Sequence, residues 1–185
     1  MQEYLLRKKR ILARFVTRKS LPAFTYRWDT RPPDVISRDG FYSRNRYGRI
    51  SIREHVNNSY ESGPWKGQLT RGSSQYVSTG AYGMLKTLDG TFAQQAPNSY
   101  LYKINTRIAA ESGAFHDVNA HFDHLGLPLT YRTQREWIKE GGIKPAAIIQ
   151  YMTGQRFMDQ YNHHRNEAPD EQALAGWSPL SAFRR

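Results

Sequence analysis

The sequence contains no cysteine. Disulfides, thiolate nucleophiles and cysteine-based zinc sites are thereby excluded, and the chain suits a reducing compartment. No apolar run approaches the roughly 20 residues of a membrane span. No charged start leads into the apolar core of about 7 to 15 residues that marks a signal peptide. Also missing are a phosphate-binding Gly-Lys loop, a dinucleotide glycine fingerprint, a nucleophile elbow and any internal repeat. Those absences remove the commoner nucleotide-binding folds. Acidic residues are scarce, with 16 Asp and Glu against 27 Lys and Arg.

What remains is a chain of 185 residues, long enough for one domain with a sizeable core and short for two. Its 14 Gly, 9 Pro and 13% aromatic content fit a loop-rich globular protein, and the expected class is α+β. The formal charge of +11 is unevenly placed. Residues 1 to 20 carry seven basic residues, Arg7 to Lys19, against Glu3 alone, so +6 of the total sits there. We therefore divide the chain into a basic arm or helix, residues 1–22, and a single domain, residues 23–185. The arm fits an element that seeks anionic membrane or nucleic acid, an organelle-targeting peptide, or a plain solvated helix.

Three strands and a turn carry the polar residues of interest. Phe24 to Asp29 alternates, with Phe24, Tyr26 and Trp28 on one face and Thr25, Arg27 and Asp29 on the other. Arg27 has the fork geometry that binds phosphate by two hydrogen bonds, and equally the charge to pair with an interior carboxylate. Pro32-Pro33-Asp34 opens a short helix that Gly40 closes. Phe41 to Ser74 reads as loop with a short helix near Ile52 to Tyr60, carrying His55. Gln75 to Gly80 is the next strand, with Ser78 and Tyr76 on one face, and Tyr100 to Asn105 is an interior strand with apolar residues on both faces. Tyr131 to Glu136 is expected to enter a strand, which would bring Gln134 and Glu136 to one face, although the spacing alone also fits a surface turn. Ala146 to Met152 is the next expected strand. His116, His121 and His124 lie near Asp117 and Asp123, but their spacing matches no known zinc pattern, and no metal is expected.

In order, Tyr26-Arg27-Trp28-Asp29-Thr30-Arg31-Pro32-Pro33, Tyr76-Val77-Ser78-Thr79 and Gln134-Arg135-Glu136 resemble the mono-ADP-ribosyltransferase toxins of the pertussis-toxin, cholera-toxin and heat-labile-enterotoxin type. Their catalytic chains show an arginine strand, a Ser-Thr-Ser strand and a Glu/Gln-x-Glu turn in that sequence. The match runs from about Thr25 to about Gly154, with a weaker echo at Leu174 to Pro179. The resemblance implies two small packed β-sheets with an NAD cleft between them. It implies Glu136, Gln134, Ser78 and Arg27 as catalytic residues, and Arg27, Asp29, His55, Ser78 and Thr79 as cofactor-binding residues. Tyr131 and Gln134 would meet the acceptor. NAD would be the substrate and no metal would take part.

Two departures qualify what is implied. Gly80 replaces the third residue of the serine strand, and Gln134 replaces the glutamate of arginine-modifying relatives. Glutamine is no general base, so an arginine acceptor is disfavoured. The expected function is transfer of ADP-ribose from NAD to a macromolecule, a protein in the first reading. RNA or DNA as acceptor, or water in a glycohydrolase, are the alternatives. A non-enzymatic basic module that binds nucleic acid is the rival from another class. The expected setting is a secreted or injected effector acting in the cytosol of a target cell, with an acidic immunity protein as a further partner.

Overall fold

The structure, a computed structural model, describes residues 21–184; residues 1–20 of the basic arm lie outside them. Seven strands set the frame: β1 (Phe24–Asp29), β2 (Tyr76–Gly80), β3 (Tyr100–Asn105), β4 (Phe115–Asp117), β5 (Glu136–Glu140), β6 (Ile148–Thr153) and β7 (Ser178–Pro179). They form one antiparallel sheet in the order β4-β5-β2-β1-β3-β6-β7. Short helices fill the connections: α1 (Pro33–Asp39), α2 (Ile52–Asn57), α3 (Gly83–Lys86), α4 (Gly90–Gln95), α5 (Thr106–Ala110), α6 (Val118–Leu125) and α7 (Gly154–Met158). The class is α+β.

The sheet is almost divided. β1 pairs with β3 from Phe24 to Asp29, and β2 pairs with β5 from Tyr76 to Gly80. Between β1 and β2 the register holds only one pair, Tyr26↔Gly80. The two small sheets implied by the resemblance are thus two arms of one sheet, β4-β5-β2 and β1-β3-β6-β7, joined at that pair.

Apolar alternation explains the interior strand. Leu101 packs with Tyr26, Met152 and Phe157 on one face of β3, while Tyr102 and Ile104 pack with Ile36, Phe41 and Ile148 on the other. Each such aliphatic side chain, buried from water, contributes on the order of 2 kcal/mol. A strand with two buried faces has no place at an edge.

Local signals fix the two helices nearest the cleft. Pro33 stands in the first turn of α1 beside Asp34, and Gly40 ends it at φ 68 with its N–H on the Ile36 carbonyl. α2 is held by a capping box: the Glu54 N–H donates to Ser51 Oγ at 3.1 Å, and the Ser51 N–H donates to Glu54 Oε2 at 2.9 Å. Thr70 Oγ1 donates to the Glu54 carbonyl at 2.9 Å and ties the following loop to the same helix.

Beyond α7 the chain is mostly irregular and returns across the Tyr26 face. Ala168 N–H bonds the Lys86 carbonyl at 2.9 Å, the Tyr26 hydroxyl donates to Glu171, and Leu174 and Trp177 join the Tyr26 cluster. The polar residues of interest face elsewhere.

Candidate active site

Arg27, Ser78 and Glu136 come together because three neighbouring strands carry them. In the β2–β5 register Gly80 opposes Glu136 and Ser78 opposes Ile138, so Ser78 and Glu136 share a face as diagonal neighbours. The β1–β2 ladder stops beyond Tyr26↔Gly80, and the Arg27 side chain spans the opening, its Nη1 donating to the Ser78 carbonyl at 2.6 Å. His55 enters from α2. Its Nε2 lies 3.0 Å from Ser78 Oγ and 3.9 Å from Glu136 Oε1, and its Nδ1 lies 2.6 Å from Ser74 Oγ.

Charge at the site is set by burial and by a few close pairs. Burial pushes the Glu136 carboxyl above its ordinary range; the Ser78 hydroxyl and the Arg27 charge pull the other way without cancelling it. Burial also lowers His55 to about 4, so its imidazole is neutral at physiological pH. Asp29 is held below the ordinary carboxylate range: burial raises it, but Arg31 overcomes this with bonds of 2.8 and 2.7 Å from its side chain and 3.0 Å from its N–H. Arg27 Nε lies 3.5 Å from the same carboxylate. Burial lowers the Arg27 guanidinium from its ordinary value, with repulsion from Arg31 and Arg44 acting in the same direction. Phe41 supports the arginines from below, its ring centroid 5.2 Å from Arg27 Cζ and 5.6 Å from Arg31 Cζ.

Three cavities meet along this line. The largest, about 700 Å³, runs past Arg27, Trp28, Arg31, Arg44 and Phe92. A second of about 190 Å³ is lined by Arg27, Arg44, Arg71, His55 and Ser78. A third of about 290 Å³ reaches His55, Ser78, Tyr131, Gln134 and Glu136. Arg27 and Arg44 border the first two, and His55 and Ser78 border the second and third. Arg27 Nε and Trp28 Nε1 are buried donors without a hydrogen-bond partner among the described residues. Four guanidinium groups against the Asp29 and Glu136 carboxylates leave a surplus that fits a dianion. Sequence reasoning missed Arg44, Arg71 and Ser74, because the stretch from Phe41 to Ser74 has no period to place a side chain by.

Some expected residues are placed differently. Gln134 is not in the strand with Glu136. Arg132–Gln134 form a single 3-10 turn, Arg135 adopts a left-handed conformation at φ 45 and ψ 46, and β5 begins only at Glu136. The kink has a cause in the packing: Ala81 N–H bonds the Arg135 carbonyl at 3.0 Å, and Arg132 binds the Asp123 carboxylate at 2.6 and 2.8 Å. Thr79 is turned out of the cleft. Its buried hydroxyl donates to the Trp137 carbonyl at 2.8 Å, so its proton is committed to the sheet. Gly80, by contrast, is explained. A Cβ there would stand 3.0 Å from the Gln134 carbonyl oxygen and 2.9 Å from Met84 Cβ, so only glycine lets the turn sit this close to β2. Tyr131 is exposed at the cleft rim. Among the described residues no three His, Asp or Glu side chains gather as metal ligands do.

The family that the fold falls in is that of mono-ADP-ribosyltransferases of the toxin type, NAD-dependent enzymes. A family model described as Scabin-like matches residues 25–168, and the chain belongs to that family. Among solved structures it is similar to the Scabin toxin from Streptomyces scabies in complex with NADH, at 19% identity and TM-score 0.50, over 85% of this chain and 73% of that one. It is also similar to EcPltA, at 17% identity and TM-score 0.47 over 86% of both chains. A guanine-specific ADP-ribosyltransferase matches at 22% identity and TM-score 0.46, over 70% of this chain and 65% of that one. At these identities the likeness is one of fold. No curated protein matches the chain. Among the described residues, no helix is long and apolar enough to cross a membrane.

Proposed function

We propose that Glu136 is the catalytic carboxylate and that NAD lies along the three joined cavities. In this reading the pyrophosphate rests between Arg27 and Arg44, which line the first two cavities together. The nicotinamide ribose lies at Glu136. The bond from C1′ to the nicotinamide nitrogen breaks, its electron pair leaves with neutral nicotinamide, and an oxocarbenium ion develops on the ribose. Glu136 stabilises that charge in a site from which water is largely excluded. Ser78 holds the carboxylate and His55 braces Ser78, and Asp29 orients Arg27 through the shared ion pair. The observation that carries the reading is the convergence of one buried carboxylate, its serine and the arginine of β1 on a cleft lined by cations.

For the acceptor we favour a nucleobase in a nucleic acid over a protein side chain. Between Phe41 and Arg53 the chain holds Arg44, Arg46, Arg49 and Arg53 and no acid, and Pro64 to Gly72 adds Lys66 and Arg71, again without an acid. Tyr42, Tyr47 and Trp65 are 72%, 78% and 59% exposed in the same two loops. Cations for phosphates beside exposed rings for stacking suit a single strand or a flipped base. Gln134 adds hydrogen bonds without a general base, which fits an acceptor that attacks as a neutral group.

Labelled NAD, incubated with lysate and either the wild type or Glu136→Gln, tests both steps. Label on macromolecules with the wild type only, removed by nuclease, is expected. Removal by protease instead would move the acceptor to protein, and acceptor-free NAD loss alone would make the enzyme a glycohydrolase. No label and no NAD loss from the folded wild type would overturn the catalytic assignment.

A further inference from the structure

We propose that Ser74 is a positioning residue whose hydroxyl sets the direction of a hydrogen-bond chain, Ser74 to His55 to Ser78 to Glu136, that turns the Ser78 proton onto the carboxylate. The proposal rests on the reading of Glu136 as the catalytic group.

The direction follows from the donors at its start. Ser74 Oγ accepts the Tyr76 N–H at 3.1 Å, and its own proton is free to go to His55 Nδ1, 2.6 Å away. A neutral imidazole has one N–H. With Nδ1 accepting, that proton sits on Nε2 and is donated to Ser78 Oγ at 3.0 Å. Ser78 then keeps its own proton for Glu136, and its hydroxyl favours the ionised carboxylate. In the opposite tautomer Nδ1–H would point at Ser74, and Nε2 would take the Ser78 proton away from Glu136. The buried carboxylate would lose its nearest hydroxyl donor.

The first two members of the chain are fixed. Ser74 is buried, and its carbonyl accepts the Asn45 N–H at 2.9 Å. His55 is fixed by the capping box of α2 and by the Tyr76 ring, whose centroid lies 5.4 Å from that of the imidazole. The group behind His55 is a hydroxyl and not a carboxylate. A carboxylate would make the imidazole more basic and draw a second proton, whereas a hydroxyl donor holds it neutral. His55 at about 4 agrees with that choice.

The test reads the tautomer directly. Long-range proton–nitrogen spectra of histidine-labelled protein at neutral pH, without substrate, are expected to show His55 protonated at Nε2 in the wild type and in Ser74→Thr. In Ser74→Ala a large fraction is expected at Nδ1. Acceptor-free NAD cleavage by Ser74→Ala should fall roughly fivefold to tenfold in kcat, the size of one lost hydrogen bond, with KM within about twofold and recovery in Ser74→Thr. A wild type protonated at Nδ1 overturns the proposal, as does a Ser74→Ala variant with both tautomer and kcat unchanged. A folded wild type that cleaves no NAD overturns the catalytic reading instead, while the tautomer still decides the direction of the chain.

Discussion

Two regions meet at Glu136 and are built on different principles. Arg27, Ser78 and Glu136 stand on strands whose register leaves each side chain one face to occupy. The turn from Tyr131 to Arg135 is held by side chains and single backbone bonds: Arg132 on Asp123, Asn119 Nδ2 on the Arg132 carbonyl at 3.1 Å, and Ala81 on Arg135. It also contains a non-glycine residue in the left-handed region, at a cost on the order of 1 kcal/mol. The lesson is a division of labour. The part assigned to NAD is set by the ladder, whereas the part assigned to the acceptor is free to change without re-registering a strand.

Substitutions on each side should separate the two. Glu136→Gln is expected to have the largest effect, a loss of at least about 10³ in NAD cleavage followed by nicotinamide release, because it removes the charge that meets the oxocarbenium ion. Arg27→Lys keeps the charge and loses the fork that bridges the Ser78 carbonyl and the ligand. About 10² should go from kcat/KM for NAD, mostly through KM. Gln134→Ala should reduce labelling of the acceptor roughly tenfold more than it reduces acceptor-free NAD loss; equal losses in both would erase the distinction between the regions. Gly80→Ala pushes a methyl group into the Met84 side chain and against the Gln134 carbonyl, and a loss of about 1–3 kcal/mol in urea unfolding is expected from the overpacked joint.

The smallest effects are those of pH, and their signs differ. Activity should have an acid limb that belongs to Glu136 and lies above the ordinary carboxylate value of 4.5, since protonation removes the stabilising charge. His55 is already neutral there. Its folded value of about 4 is depressed from 6.5, so the unfolded chain binds the extra proton between those values. Stability from this group is therefore lost as pH falls from about 6.5 to about 4, and Glu136, raised by burial, opposes it over its own window. Melting temperature against pH, compared with His55→Asn, should show the slope flattened in the variant.

The same division decided what could be read in the sequence. β1 was legible because alternation of Phe24, Tyr26 and Trp28 states a period, and β3 because Tyr100, Leu101 and Tyr102 put apolar side chains on both faces of an interior strand. α1 was legible from Pro33 and Gly40, which mark its ends, and α2 in place only, expected to reach Tyr60 where it ends at Asn57. Gln134 was misplaced because nothing in Arg135 announces a left-handed residue; the Ala81 and Gly80 backbones impose it from another strand. The bond of Thr79 to Trp137 was not legible either, because a motif gives order along the chain and not the face a side chain takes. Arg44 and Arg71 lie in stretches with no period at all, and only the fold brings them beside Arg27.

The Arg27 bond to the Ser78 carbonyl joins residues 51 apart in sequence, and Thr79 bonds Trp137 across 58. Nothing local prefigures the cleft. Pairings of such separation form late and slowly, after loop closure has been met by the arms of the sheet. An unfolded chain therefore carries every side chain of the proposed site and none of its geometry.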